Sequence, residues 1–560
     1  MSENTVVNSR YNGRLLITLT TALNMAKLDK NTFPNGHGPN DFTCFGPAAT
    51  KDGQFDGTYL CDMGCFKQEV GSDKPVDSNK YFHGSVVQSK KNSKFYAYFE
   101  WARTGAKNPA FQFVECNSKE EAHREYATKL LSKNVKRGEW FVHPSLGKIL
   151  RAKAGEDCYL VRPQAVRCTG LPDARTISQN EGTKKVSEQV SLAKKSTIKS
   201  VCDEHTLALM RDLNIGAIQY TRSAMADAAI PTQLAIDEAR TILAESQKRI
   251  HSVGDNINDQ IQDRELLNLT SLMYSRIPKK KDRNASPSTW ILSANNVAQW
   301  YLDLDAFENA LYASQKQIEN PDPFAGLNIR LSWLSPQNEL GRKIAKWFLL
   351  STQHKHANIR DVKIKNIWQC SRESDTTKIR KYQNQLGFVQ SEYRPLHQFE
   401  RFDLDQQTNN LYKKTNTCLL FHGTRSVNVS GILRESWKSP KDLVGVKITA
   451  WMFGAAAGYF ADDYKKSAQY CSIAAARYAK GDGAIANRGA FMFVGDVVLG
   501  NTYIAKDAYP FTKAPNGYHS VGGKGGYTNS KFGKLLNNEW IVYDANQCAV
   551  KYLIEFECYI

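Results

Sequence analysis

The sequence predicts a multidomain α+β protein with a β-rich N-terminal region, an all-α bundle in the middle and a mixed α/β region at the C-terminal end. Three observations predict it. An aromatic-rich hairpin pattern begins at Tyr81, apolar stripes at helical spacing occupy about 200–325, and short apolar segments between Gly- and Asn-rich turns follow from about 326. A length of 560 residues fits three or four domains, and 11% aromatic residues exclude wholesale disorder. No run approaches the roughly 18 consecutive apolar residues that a membrane span needs.

Taken in order, residues 1–57 form an extension of unknown role, rich in Asn, Gly, Pro and Asp over 27–57. Its stretch Leu15 to Ala26 is apolar like a signal-peptide core, but it carries three threonines and is read as a strand or short helix. Residues 58–168 hold the run YFHGSVV, the turn QSKKNSK and the run FYAYFEWAR, which together read as a hairpin. The segment EEAHREYATKLLSKN follows as a helix with Ala122, Tyr126, Leu130 and Leu131 on one face. Residues 169–200 have the Ser, Thr and Lys composition of a linker.

In 201–325, Leu234, Ala239, Ile242, Leu243 and Ile250 share one helical stripe, and Leu266, Leu269, Met273 and Ile277 share another that stops before Pro278. Both read as seams of a helical bundle, and the basic run Pro278 to Arg283 as an exposed loop. Residues 326–560 carry the segments TCLLFH, GAFMFVGDVVLGN, EWIVYD and VKYLIEFE as strands.

Charge and thiols bound the function. The chain has a formal net charge of +18, and residues 80–200, with 23 basic and 11 acidic residues, hold +12 of it. A concentrated excess of this sign points to a polyanion, nucleic acid or a membrane surface. The twelve cysteines include no CxxC, and the nearest pair, Cys61 and Cys65, lacks the histidines that would complete a zinc site. The set reads as free thiols in a reducing compartment, nuclear or cytoplasmic.

Four C-terminal segments carry chemistry. In LLFHGTRS a strand runs into His422, Gly423 and Thr424, and a glycine there lets a flat amide approach the backbone. In WMFGAAAGYFADDYKKSAQYC, Tyr459 follows Gly454 and Gly458, and Lys466, Ser467 and Tyr470 lie on a predicted helix start. Ser467 and Tyr470, three apart on a helix, would share a face that suits stacking plus one hydrogen bond. PNGYHSVGGKGGY is a glycine-dense loop and a weak phosphate-binding signal, and NNEWIVYD places Glu539 at the mouth of a strand. Singly, His422 reads as a structural histidine, Glu539 as a solvated strand-edge carboxylate and both tyrosines as core aromatics.

In this order, LLFHGTRS, MFG…GYFAD…KSAQYC, VVLGNTY, PNGYHSVGGKG and NEWIVYDANQCAVKYLIEFE resemble the catalytic domain of the poly(ADP-ribose) polymerases, a mixed α/β, diphtheria-toxin-like ADP-ribosyltransferase fold. Upstream, TILAESQKRI and LLNLTSLMYSRIP are similar to the helical regulatory domain of that family, and KYFHGSVV…FYAYFEWARTGAKN resembles its WGR domain, which contacts DNA ends in DNA-dependent members.

The resemblance implies NAD⁺ as substrate, no metal, and His422, Tyr459 and Glu539 as the catalytic set. It implies that His422 bonds the adenosine ribose, that the Gly423 backbone and Ser467 hydroxyl hold the carboxamide, and that Tyr459 and Tyr470 flank the nicotinamide, with Thr424 and Lys466 nearby. Trp101 and Arg103 (the WGR signature, here Trp101-Ala102-Arg103), with Lys90, Lys91, Lys94 and Lys107, are the implied DNA contacts. The implied function is a DNA-break-stimulated enzyme, nuclear in a eukaryote and cytoplasmic otherwise, that builds poly(ADP-ribose) on itself and on other proteins. The alternatives are mono-ADP-ribosylation and a DNA-binding scaffold with a silent transferase fold. FGAAAGYF carries one residue more than the family's usual FGxGxYF, and Lys438 stands where an arginine is expected near the adenine.

Overall fold

A computed structural model describes residues 28–38, 41–44, 60–68, 77–103, 110–132, 140–143, 147–150, 159–161, 203–225, 230–231, 233–254, 256–281, 285–319, 327, 329–389, 391–437, 452–454, 456–530 and 533–559. The stretch Leu15 to Ala26, the 169–200 segment, Lys107 and Lys438 lie outside these residues.

The N-terminal sheet contains β1 (Phe42–Cys44), β2 (Leu60–Gln68), β3 (Asp77–Ser89), β4 (Phe95–Arg103), β5 (Ala110–Cys116) and, after the hairpin of β6 (Trp140–His143) and β7 (Gly147–Leu150), β8 (Tyr159–Val161). The strand order is β5-β4-β3-β2-β8, with β1 pairing β3. Side chains alternate across a strand, so β4 feeds two cores. Phe95, Ala97, Phe99 and Trp101 meet Ala122 and Tyr126 of helix Lys119–Ser132. Tyr96 and Tyr98 meet Phe111, Phe113 and Phe42 on the opposite face, with Leu28 and Phe33 at its edge. The segment assigned above to an extension therefore covers one face of this sheet: Leu28 N–H donates to the Phe113 carbonyl at 3.2 Å and Asn31 N–H to that of Phe111 at 2.8 Å.

The central bundle contains helices Glu204–Ala224, Gln233–Val253, Ile257–Gln262, Arg264–Arg276 and Val297–Glu319. Ala239, Ile242, Leu243, Ile250, Leu266, Leu269, Met273 and Ile277 are all buried in its core, as the two stripes require, around Trp300, Leu304 and Phe307. The side chain of Leu234 lies outside the described residues. Asp203 and Asp263 cap their helices by accepting from Thr206 N–H at 2.8 Å and Leu266 N–H at 2.9 Å, where a lost cap costs about 1 kcal/mol. The basic run after Pro278 is not simply a solvated loop: Lys279 pairs with Asp303, and Lys281 lies 4.7 Å from the Trp290 ring.

The C-terminal domain holds two sheets. One runs β11 (Thr417–Gly423), β13 (Ala490–Val498), β19 (Cys548–Tyr559), β10 (Asp361–Ser371) and β9 (Arg330–Trp333). The other runs β12 (Gly458–Phe460), β18 (Glu539–Val542), β15 (Ser520–Gly523) and β14 (Thr502–Ala505), beside the short hairpin of β16 (Asn529–Ser530) and β17 (Gly533–Lys534). The buried run of β13, Ala490 to Val498, lies between β11 and β19 and packs on both faces. A reciprocal backbone pair links the sheets: Phe421 N–H donates to the Ala461 carbonyl and Ala461 N–H to that of Phe421, each at 2.9 Å.

Bundle and C-terminal domain share a core. Leu209, Met210 and Leu213 of the first bundle helix pack with Trp368, Leu420 and Phe491, and Trp368 Nε1 donates to Thr206 Oγ1 at 3.1 Å. The polar centre of this interface is Arg425, three residues past His422. Its Nη1 donates to Asp303 Oδ1 and Tyr220 OH, each at 2.8 Å, and to Asp482 Oδ2 at 2.5 Å. Burial alone would raise the Asp303 pKa, but Lys279 and Arg425 beside it hold the carboxyl below its usual range.

Candidate active site

The cleft is assembled where β11 ends. His422 pairs across to Phe493, and its Nδ1 lies 2.9 Å from the Tyr459 carbonyl. A carbonyl only accepts, so Nδ1 carries the proton and Nε2 of the neutral ring is left as an acceptor. Burial among Trp437 and Phe460 depresses the His422 pKa, with the carbonyl bond opposing, so the ring is neutral at physiological pH.

Gly423 follows in close contact with the helix Tyr464–Ala468: a Cβ built on it would lie 1.8 Å from the Ser467 carbonyl oxygen. No other residue fits there without moving one of the two backbones. Ser467 Oγ donates to the Phe421 carbonyl at 3.1 Å, which binds the helix to the strand from the other side. Thr424 is buried at the exit of the strand, leading into Arg425.

Tyr459 is the middle residue of β12, opposite Ile541. Its hydroxyl donates to the Gly454 carbonyl at 2.6 Å and accepts from Phe453 N–H at 3.2 Å, which fixes the ring. Burial raises its pKa well above the usual phenol value. Gly454 has φ +82°, and a Cβ there would meet the Phe511 carbonyl oxygen at 2.0 Å.

Glu539 opens β18 and is only 6% exposed, not a solvated strand-edge carboxylate. Its Oε1 lies 2.7 Å from Lys466 Nζ. Burial opposes the charge on Lys466, but Tyr470 and Glu539 outweigh it and hold the ammonium pKa above its usual value. The Tyr470 ring centre is 5.4 Å from the same ammonium, and Tyr470 stacks on Tyr478 with centroids 4.6 Å apart. Lys466 and Ser467 lie on the helix as expected, whereas Tyr470 lies beyond its last residue, Ala468. Within the glycine-dense segment, Ser520–Gly523 is β15, which pairs with β18 and sets Gly523 opposite Glu539.

Residues absent from the motif reading hold this arrangement. Asp463 caps the short helix, its Oδ1 accepting from the N–H groups of Lys465 at 2.8 Å and Lys466 at 3.2 Å. Its Oδ2 accepts from Gln353 N–H at 2.7 Å and Asn537 Nδ2 at 3.1 Å. Asp462 Oδ2 accepts from Leu396 N–H at 2.9 Å and Asn538 Nδ2 at 3.0 Å. The doublets Asp462-Asp463 and Asn537-Asn538 thus clasp each other directly before Lys466 and Glu539. An acidic residue two or three positions before a helical Lys-Ser was the available signal.

The described candidate contacts of the N-terminal sheet are spread along it. Lys90, Lys91 and Lys94 sit in the β3–β4 turn, while Trp101 pairs with Phe82 six residues along β4 from Phe95, roughly 20 Å away at the rise of a strand. Lys91 pairs with Asp41 at 2.8 Å and Lys94 with Glu115. Trp101 is half-buried, with Lys30 Nζ 5.9 Å from its ring, and Arg103 ends β4 as the partner of Lys80. Among the described residues no group of three or more His, Cys, Asp or Glu could hold a metal ion, and no helix is long and apolar enough to cross a membrane.

Asp463→Ala should destabilise the protein by about 2–4 kcal/mol, the loss of a helix cap plus buried donors left unpaired. Thermal denaturation measures this, and an unchanged unfolding curve would contradict the role given to Asp463.

Comparison with known proteins agrees with the geometry. Residues 342–558 match the family model for the poly(ADP-ribose) polymerase catalytic domain. Poly [ADP-ribose] polymerase 1 of Gallus gallus is 24% identical over 514 residues, covering 86% of this chain and 44% of that protein. Its namesake in Danio rerio is 27% identical over 353 residues, covering 57% and 30%. The one in Oryza sativa subsp. japonica is 32% identical over 171 residues, covering 26% and 16%. The chain thus spans less than half the length of these relatives. Residues 342–558 are thus similar in sequence to the poly(ADP-ribose) polymerase catalytic domain, and the motif residues of this region come together around the end of β11.

Proposed function

We propose that this chain cleaves the nicotinamide–ribose bond of NAD⁺ and transfers ADP-ribose to proteins, itself included, extending the product into polymer. The observation that carries this reading is the buried Glu539 carboxylate, held 2.7 Å from Lys466 in the cleft that also contains His422, Gly423 and Tyr459. Departure of nicotinamide leaves positive charge on the ribose, as in glycoside hydrolysis. A fixed carboxylate stabilises that charge and accepts a proton from the incoming hydroxyl. Lys466, paired with Glu539 at 2.7 Å, orients the carboxylate in the site. The Gly423 backbone supplies one donor and one acceptor for a flat carboxamide, Tyr470 a ring to stack on it, and neutral His422 an acceptor for a ribose hydroxyl.

Polymer rather than single units is the reading favoured by Glu539, since family members lacking that glutamate usually transfer one unit. Stimulation by DNA ends rests on the WGR-like hairpin and the +12 charge of 80–200, with Trp101 and Arg103 as its contacts. The lysines of the β3–β4 turn are a separate, weaker contribution. The place of action is the nucleus in a eukaryote.

The helical bundle restrains the site until DNA is bound, and the support for this is Arg425: the residue that follows Thr424 is neutralised by Asp303 of the bundle. Arg425 Nε and Nη2 have no hydrogen-bond partner, so Asp303 is central to its compensation. Removing one partner of a buried pair costs about 3–5 kcal/mol.

Incubating the full chain with labelled NAD⁺, with and without short DNA duplexes, should give DNA-stimulated polymer resolved by size. Glu539→Gln should lower turnover by about 10²-fold or more and abolish elongation, and long polymer from that variant would remove Glu539 from the chemistry. Asp303→Asn should raise DNA-independent turnover in the same assay, whereas turnover still fully dependent on DNA would rule out the restraint.

A further inference from the structure

Tyr470 and Tyr478 are 40% and 51% exposed, a conspicuous pair of solvent-facing rings beside a buried ion pair. They lie face to face, 4.6 Å between centroids and 25° between planes. The chain fixes this contact from the backbone. The Gln469 carbonyl accepts from the N–H groups of Tyr478 at 3.1 Å and Ala479 at 3.3 Å. Gln469 Oε1 accepts from Arg477 N–H at 2.8 Å and Asn358 Nδ2 at 2.9 Å, and Asn358 Nδ2 also donates to the Ala475 carbonyl at 2.7 Å. Ala476 and Ala479, on either side of Arg477 and Tyr478, are buried in the core that includes Ala468 and Cys471. Lys480 at φ 48° and Gly481 at φ 78° then turn the chain back. Tyr478 is therefore presented by a rigid loop, and Arg477, with its guanidinium 6.0 Å from the Tyr478 ring, caps the pair from outside.

On the inner side the Tyr470 ring lies 5.4 Å from Lys466, which pairs with Glu539. Tyr470 itself follows the helix end, where neither strand nor helix dictates its ring orientation. We propose that Tyr478 is the positioning residue that sets the plane of Tyr470, and through it the width of the slot that receives the nicotinamide ring. The proposal rests on the NAD⁺ reading above. It assigns Tyr478 no contact with the reacting atoms: the stacked ring costs Tyr470 its freedom before substrate arrives, so binding does not have to.

Steady-state NAD⁺ consumption and inhibition by nicotinamide, measured on the full chain, test this with Tyr478→Ala and Tyr478→Phe. An aromatic pair of this kind corresponds to a factor of about five. Tyr478→Ala should raise both the KM for NAD⁺ and the nicotinamide inhibition constant about fivefold with kcat within twofold, and Tyr478→Phe, which keeps the ring, should match the parent. An unchanged KM in Tyr478→Ala, a fall in kcat without a rise in KM, or equal impairment in Tyr478→Phe would each overturn the proposal. A parent chain that neither consumes NAD⁺ nor binds nicotinamide would overturn the NAD⁺ reading and this proposal together, whereas an active parent with an indifferent Tyr478→Ala overturns this proposal alone.

Discussion

The reciprocal backbone pair between Phe421 and Ala461 is the constraint on which the cleft depends. It links the two sheets of the C-terminal domain one residue before His422 and two after Tyr459. The His422–Tyr459 hydrogen bond and the Ser467–Phe421 hydrogen bond follow from that junction. So does the approach of Gly423 to Ser467, which is closer than any side chain permits. Two backbones brought this near leave amide groups at a strand end, fixed before any ligand arrives. Preorganised dipoles of that kind are most useful to a reaction that develops charge in a water-poor site.

The same short stretch of chain connects outward. His422, Gly423 and Thr424 lead directly into Arg425, which enters the interface with the helical bundle. A charge buried between two domains is costly unless it is paired. Tyr220, Asp303 and Asp482 pair it, and Lys279 balances Asp303 in turn. The bundle therefore meets this stretch through a buried ion-pair cluster as well as through the apolar core of Leu209, Met210 and Leu213.

Much of this was legible in the sequence because it is local. The stripes Ala239 to Ile250 and Leu266 to Ile277 announce buried helix faces, and each is buried. Strands β11, β13, β18 and β19 are largely apolar runs, and His422, Glu539 and their motif neighbours come together near the ends of β11 and β18. What was not legible depends on long-range pairing. The clasp of Asp462 and Asp463 with Asn538 and Asn537 spans more than seventy residues and is written in amino acids that are common in any turn. The stacking of Tyr478 depends on a loop whose course is fixed by Gln469 and Asn358. Residues 28–44 read as irregular because Leu28, Phe33 and Phe42 are too widely spaced to show a period, yet they cover one face of a sheet. The distance between the lysines of the β3–β4 turn and Trp101 was not legible either, because it follows from the extended course of β4.

The most direct test of the central claim is a crystal structure of the full chain with nicotinamide bound. The account predicts the carboxamide hydrogen-bonded to the Gly423 backbone, its ring against Tyr470 and the Lys466–Glu539 pair intact beside it. Nicotinamide bound away from Gly423, or a cleft in which β11 has separated from residues 459–467 to admit it, would contradict the account.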